Sequence, residues 1–360
     1  MNPLNSVPRP AQADLFPSYV CPQTRLPLQL INDALQAANG QTVYPLRAGI
    51  PQFLRYSAAE TAEGESSLRQ LNNRAREVGW LSALQEQNQN DPGFISYVTD
   101  PKRALFVSIL PLTRESRVLE IGTGLGQFTT VLARQARSVC GLEVVAGQAE
   151  FTAERCRQEG LTNVQMAVGG DDCRLPYADS SFDLVVLNLV FEWCAARCVD
   201  ESHLNVQKRL LAEMRRVLKP GGALYLATKN RFALKYVLGK TDEHYCNMPF
   251  GSALPRGIAN LLLRRRGHAR SPGQLYSHDA LKTMLHDAGF ENCISYWATP
   301  EMRFPAHYIP TDVDSVRKAR RDPQLVQGEM RSTRLLMRWI PAALVKYFTP
   351  GLSFLAIKRR

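Results

Sequence analysis

The stretch Val118-Leu-Glu-Ile-Gly-Thr-Gly-Leu-Gly126 decides the fold. A short apolar run passes straight into three glycines, and residues 128–136 then read as a helix. Glycine lets a backbone turn sharply and approach a ligand with no Cβ in the way. A helix opening at that point offers free amides and a positive dipole end to polar ligand groups. The dinucleotide fingerprint GxGxxG is the obvious competitor, but here the third glycine comes one residue early. Glu120 also stands directly before the turn, where a pyrophosphate gains nothing from an acid. A carboxylate there suits the cationic end of an amino acid or a sulfonium.

Outward from the turn, apolar strands alternate with helices. Residues 139–144 read as a second strand and 146–159 as a helix. Residues 164–168 make a third strand, and 182–190 a fourth, continuous enough to be buried on both faces. A helix carrying Leu210, Leu211, Met214, Val217 and Leu218 stops at Lys219-Pro-Gly-Gly, and residues 223–228 form strand five. After a break of about 45 residues the rhythm resumes with a helix capped by Ser277, a strand over 292–298 and a last one over 353–357. Such alternation gives an α/β Rossmann-like parallel sheet. Glu143, ending strand two, is spaced to accept both hydroxyls of a ribose. Asp171 and Asp172 follow strand three, where an acid can accept an adenine amino group. Asn188 ends strand four, at the sheet's carboxyl edge.

Taken together, E-I-G-T-G-L-G, an acid ending strand two, G-D-D-x-x-L-P-Y, S-F-D-L-V and L-K-P-G-G resemble the class I S-adenosylmethionine (SAM)-dependent methyltransferases of the type-11 kind over about residues 110–230. The resemblance implies a seven-stranded core with an antiparallel last strand, SAM as cofactor and a methyltransferase activity. It places Glu120, Gly122, Gly124 and Gly126 at the methionine part, Glu143 at the ribose, Asp171 and Asp172 about the adenine, and Asn188 beside the methyl donor. Val144 and Val145 follow Glu143 where the family often has an aromatic or serine, so the adenine wall there is merely apolar.

Residues 1–55 hold Tyr19-Val-Cys-Pro-Gln-Thr-Arg and Val43-Tyr-Pro-Leu-Arg, strand-like pieces about a turn near Asn39. They resemble the zinc-ribbon-like module that precedes some methyltransferases, including rRNA enzymes. Thr24 stands where the second cysteine of CPxC belongs, and a tetrahedral zinc site needs about four N/S ligands. No metal is therefore expected. Residues 56–110 read as a polar linker over 58–67 and then helix, a lid before the methyltransferase domain over 111–360. An insertion at 229–275 less specifically resembles that of saccharide- and cell-envelope-associated methyltransferases. In it, Asp242-Glu-His244 offers His244 as a base for a hydroxyl.

Charge divides the chain: residues 201–360 hold 27 Lys and Arg against 12 acids, whereas 1–200 hold 17 against 21. A basic half suits an anionic partner or a solubilising face. Eight scattered cysteines, no apolar run of membrane length and a polar, proline-rich start point to a reduced, cytoplasmic setting. The leading expectation is methyl transfer to a hydroxyl of a saccharide or another biosynthetic small molecule, anionic or not. An RNA base is the alternative acceptor, and a non-catalytic SAM-binding protein the second alternative. Residues 335–348 mix Leu, Met and Trp with Arg338 and Lys346, which fits a core-packing helix or a membrane-surface one.

Overall fold

The computed structural model describes residues 15–38, 40, 42–56, 62–198, 200–322, 324–325 and 331–360, with backbone alone at 62 and 331–334. The turn expected at Asn39, the first part of the linker (58–61) and residues 1–14 lie outside them.

The chain begins with an antiparallel meander of β1 (Leu28–Ile31), β2 (Ala34–Ala37), β3 (Val43–Arg47) and β4 (Ile50–Pro51). Helices α1 (Ala62–Val78), α2 (Trp80–Gln87) and α3 (Pro92–Thr99) follow, then a 3-10 stretch Pro101–Ile109. The periodicity from Leu68 to Leu84 predicts one helix. The structure breaks it at Gly79, whose φ of 94° no other residue adopts easily. Gln158 heals the break: its oxygen accepts from Trp80 N at 2.8 Å and its amide donates to Ala75 O at 2.7 Å.

The α/β core runs β5 (Arg117–Ile121), α4 (Thr129–Ala133), β6 (Ser138–Glu143), α5 (Ala146–Gln158), β7 (Val164–Val168), β8 (Phe182–Asn188), α6 (His203–Val217) and β9 (Leu218–Lys229). The Lys-Pro-Gly-Gly segment closes α6 and bulges out of β9: residues 219–222 stand opposite Asp183 alone in the β8–β9 register, and Gly221 has a φ of 76°. The insertion supplies α7 (Leu234–Val237), a ladder of β10 (Thr241–Asp242) and β11 (Met248–Pro249), and α8 (Arg256–Arg265). Then come α9 (His278–Asp287), β12 (Phe290–Thr299), β13 (His307–Pro310), α10 (Val313–Ala319), α11 (Arg331–Trp339) and β14 (Gly351–Lys358).

One sheet has the order β13-β12-β14-β9-β8-β5-β6-β7. Pairings among β5 to β9 are parallel, and β14 is antiparallel to both neighbours. An eighth strand, β13, joins the expected seven by pairing antiparallel with β12. Side chains alternate between two buried layers: Leu119, Leu142, Val185 and Leu224 enter one, Val118, Val139, Val186 and Tyr225 the other. Strands are added on one side of β5 (β6, β7) and then on the other (β8, β9), and ligands of open α/β sheets sit at such a switch, outside the strands' carboxyl ends.

Candidate cofactor and active site

A cavity of about 430 Å³ opens at this switch point, a size that suits a cofactor or drug-sized ligand. Its floor is the glycine turn. Gly122, Gly124 and Gly126 have φ of 80°, 54° and 79°, which favour glycine. A Cβ on Gly122 would lie 2.3 Å from Val190 Cγ2, closing the gap between the β5 and β8 loops. Gly122 and Gly124 line the cavity, whereas Gly126 faces α5, where a Cβ would meet Thr152 Cγ2 at 3.1 Å.

Glu143 lines the cavity from the end of β6. Its carboxylate accepts from the backbone amides of Gly124 (2.9 Å), Val144 (2.9 Å) and Val145 (3.2 Å). Burial nevertheless raises its pKa, with the three amides opposing the shift. Glu120 lies beneath the turn and is fully buried. One of its oxygens accepts from Thr129 Oγ1 at 2.7 Å, and the other has no hydrogen-bond partner among the described residues. Burial pushes its pKa up to about 8, and the charge of Glu143 pushes the same way. Asn188 lines the cavity from the end of β8.

The two aspartates of the Gly-Asp-Asp segment separate. Asp171 lines the cavity, yet its carboxylate accepts from Arg55 N (3.1 Å) and Tyr56 N (2.7 Å) of the N-terminal unit. Asp172 does not line the cavity; it is held by Arg174 Nη1 and Gln23 Nε2, both at 2.8 Å.

Above the turn, α3 contributes Phe94, Tyr97 and Val98 as a lid, and Arg197 and Trp193 stand on the β8 side. Arg197 Nη1 is buried without a hydrogen-bond partner among the described residues. The expected lid over 56–110 carried a helical face from Leu68 to Leu81 and a break at Asp91-Pro-Gly, but the expectation included neither Phe94, Tyr97 and Val98 nor Arg197. The Asp91-Pro-Gly start of α3, capped by Asp91 on Phe94 N, is the signal that could have placed the lid.

His244 is not brought to the cavity. It lies a layer behind Trp193, whose ring stacks on the imidazole at 4.4 Å. Its Nδ1 is 2.9 Å from Asp242 Oδ1, and its Nε2 is 3.9 Å from Glu192 Oε1, while Glu192 also accepts from Thr228 Oγ1 at 2.7 Å. His244, Asp242, Glu192 and Thr228 are buried, and Trp193 is half-buried. Asp242, Glu243 and His244 have potential ligand atoms within 4.8 Å of one another. The Asp242 carboxylate is already taken by His244 and Ser252, which speaks against a cation there.

Comparison with known proteins bears on this arrangement. Residues 119–226 match the family described as "Methyltransferase domain". The biotin biosynthesis bifunctional protein BioHC of Cellvibrio japonicus is 35% identical over 31% of this chain and 20% of its own length. The methyltransferase GfsG of Streptomyces halstedii is 34% identical over 40% of this chain and 49% of its own. A demethylmenaquinone methyltransferase of Tropheryma whipplei is 27% identical over 55% of this chain and 76% of its own. The chain thus spans a fifth to a half of the length of the first two. Among solved structures, the YcgJ protein of Bacillus subtilis aligns at a TM-score of 0.42, with 18% identity over 72% of this chain and 98% of that one. Residues 119–226 are a methyltransferase domain, and S-adenosylmethionine is its cofactor.

Proposed function

We propose that the chain transfers the methyl group of SAM to a hydroxyl of a biosynthetic small molecule. The observation that carries this reading is the cavity at the switch point, with an unpartnered Glu120 oxygen buried under the glycine turn and Glu143 at its rim. Glu120 does not itself line the cavity; its unpartnered oxygen beneath the turn would face an amino acid's ammonium seated against the turn, and Glu143 fits the ribose hydroxyls. Gly122 and Gly124 would shape the methionine end, with Gly126 seating the turn on α5. Asp171 and Val144 would border the adenine, and Asn188 the methyl. Asp172, held in its ion pair, would act by fixing this loop.

The bound sulfonium supplies an already activated methyl group, so the chain's own work is positioning and removal of a proton. The acceptor would lie against Trp193 and the α3 lid, walls that suit an apolar or ring-shaped body better than a strongly hydrated sugar. The free donor on Arg197 suits an anionic or carbonyl group on that body. His244 is the proton acceptor in this reading. Asp242 holds Nδ1–H, which leaves Nε2 basic, and Trp193 must turn aside for a hydroxyl to reach it.

Calorimetry tests the cofactor site. SAM and S-adenosylhomocysteine should bind in the micromolar range and NAD should not. Glu143→Ala should lose ribose hydrogen bonds worth about 1.5–3 kcal/mol each. Unchanged SAM affinity in a folded Glu143→Ala protein would overturn the site, as would tight NAD binding without a SAM signal.

A further inference from the structure

Sixteen large apolar side chains are exposed among the described residues; ten lie from Val237 to Leu344, and all of these but Ile294 of β12 belong to the insertion or the C-terminal helical segment. That clustering is unlike the scattered exposure normal for a soluble surface. On α11, Met337 is the buried contact, while Leu335, Leu336 and Trp339 are exposed, Trp339 by 80%. The helical repeat puts Leu335 and Trp339 opposite Met337, with Leu336 on the flank between. The helix therefore turns an apolar face outward. On α8, Ala259 and Leu263 pack inward against Tyr245 and Met248, and Ile258 and Leu261 face out beside the exposed Arg264 and Arg265.

The two helices are linked through α7. Leu234 shares a buried cluster with Met337 and Val345, and the Phe250 ring lies against Gly239, just beyond the exposed Val237 and Leu238. Phe250 is itself exposed and follows β11, against which α8 packs. Charge accompanies the apolar groups. Residues 229–270 hold nine Lys and Arg and two acids, Asp242 and Glu243, of which the first is buried and the second half-buried. Arg338 adds an exposed cation on α11.

We propose that α7, the Phe250 turn, α8 and α11 form a docking surface for an anionic lipid membrane. A second copy of the chain would bring the same positive charge against itself. Nucleic acid would use the arginines but gains little from Leu335, Leu336, Ile258 and Leu261. A leaflet of acidic lipids takes both: aliphatic and Trp side chains enter the headgroup boundary, and arginines meet phosphates. None of the described helices is long and apolar enough to cross a membrane, so the contact is a surface one. The proposal is independent of which acceptor is methylated.

Sedimentation with phosphatidylcholine vesicles, with and without 30 mol% (about a third) phosphatidylglycerol, tests it. The full chain should bind the acidic vesicles at least about 10-fold more tightly, and less so at high salt. Leu335→Ser with Trp339→Ser should lose about 10-fold or more on both vesicle types. Arg264→Gln with Arg265→Gln should lose only the preference for acidic lipid. Tryptophan emission should shift to the blue on vesicle binding in the wild type and not in Trp339→Phe. SAM affinity, expected to be unchanged in every variant, reports that the fold is kept. Absence of vesicle binding by the wild type would overturn the proposal. So would vesicle binding untouched by the Leu335/Trp339 changes, or a single-stranded RNA that binds more tightly than the acidic vesicles.

Discussion

At the residue scale, Glu120 carries the clearest electrostatic signature. Its folded pKa of about 8 stands above the ordinary carboxylate value, because ionising it strands a charge away from water. The folded state then holds a proton that the unfolded chain releases. This contribution is fully present below the unfolded pKa and is lost as pH rises through about 8, levelling off above it. Glu120→Gln, which keeps the shape and cannot ionise, should remove that slope. Urea unfolding without ligand should show wild type losing a few kcal/mol relative to the variant between about pH 5 and 8. The same variant should bind SAM more weakly, since an ammonium prefers a carboxylate to an amide. Parallel pH profiles for the two proteins would refute the burial argument. His244 makes a separate claim. His244→Ala should leave SAM affinity nearly unchanged and slow transfer by about 10²–10⁴-fold. Recovery of the rate in His244→Gln, which restores a planar partner for Trp193 but no base, would reduce His244 to a packing role.

At the element scale, the lid helix α3 depends on one buried cation. Arg103 sits over the Tyr97 ring at 3.3 Å, donates to Tyr97 O, and reaches Arg303 O at 3.1 Å. It thereby ties α3 to the segment between β12 and β13. Arg103→Ala should free the lid, raising the SAM Kd by about 10-fold, equivalent to about 1.4 kcal/mol, and speeding hydrogen exchange in residues 92–99. Wild-type exchange there would show the lid to be held by its own packing. The sequence made the α/β elements readable because glycine turns, buried strands and caps are local signals. What it could not convey was tertiary. Nothing in Gly-Asp-Asp distinguishes Asp171, facing the cavity, from Asp172, drawn away by Arg174 and Gln23. The α1–α2 break depends on Gln158, far along the chain. The role of Arg103 rests on Arg303, 200 residues away.

At the scale of the whole molecule, the N-terminal meander solves a problem that the sheet creates. β7 ends the order, and an uncovered edge invites pairing with other chains. The meander meets that edge directly: Gln52 bridges Val168 in parallel, and Phe53 N donates to Val168 O at 2.7 Å. Phe53 then fills the seam, with its ring 5.3 Å from Tyr19 and 4.8 Å from Tyr44, and its Cβ against Gly169. Arg55 N and Tyr56 N continue the attachment onto Asp171 at the cavity wall. Cys21 is buried with its thiol 3.2 Å from Tyr44 Oη, which is a packing role. The module is in this view an edge cover joined to the cofactor site, and its attachment should be cooperative with the core. Phe53→Ala should cost about 3–5 kcal/mol, seen as a lower urea midpoint with a single transition. It should also weaken SAM binding, because the Arg55–Tyr56 grip on Asp171 loosens with it, and should make the protein aggregate on mild heating as β7 becomes exposed. A two-step transition, with the main step and SAM affinity at wild-type values, would mean that the meander folds as a separate unit and leaves the β7 edge to something else.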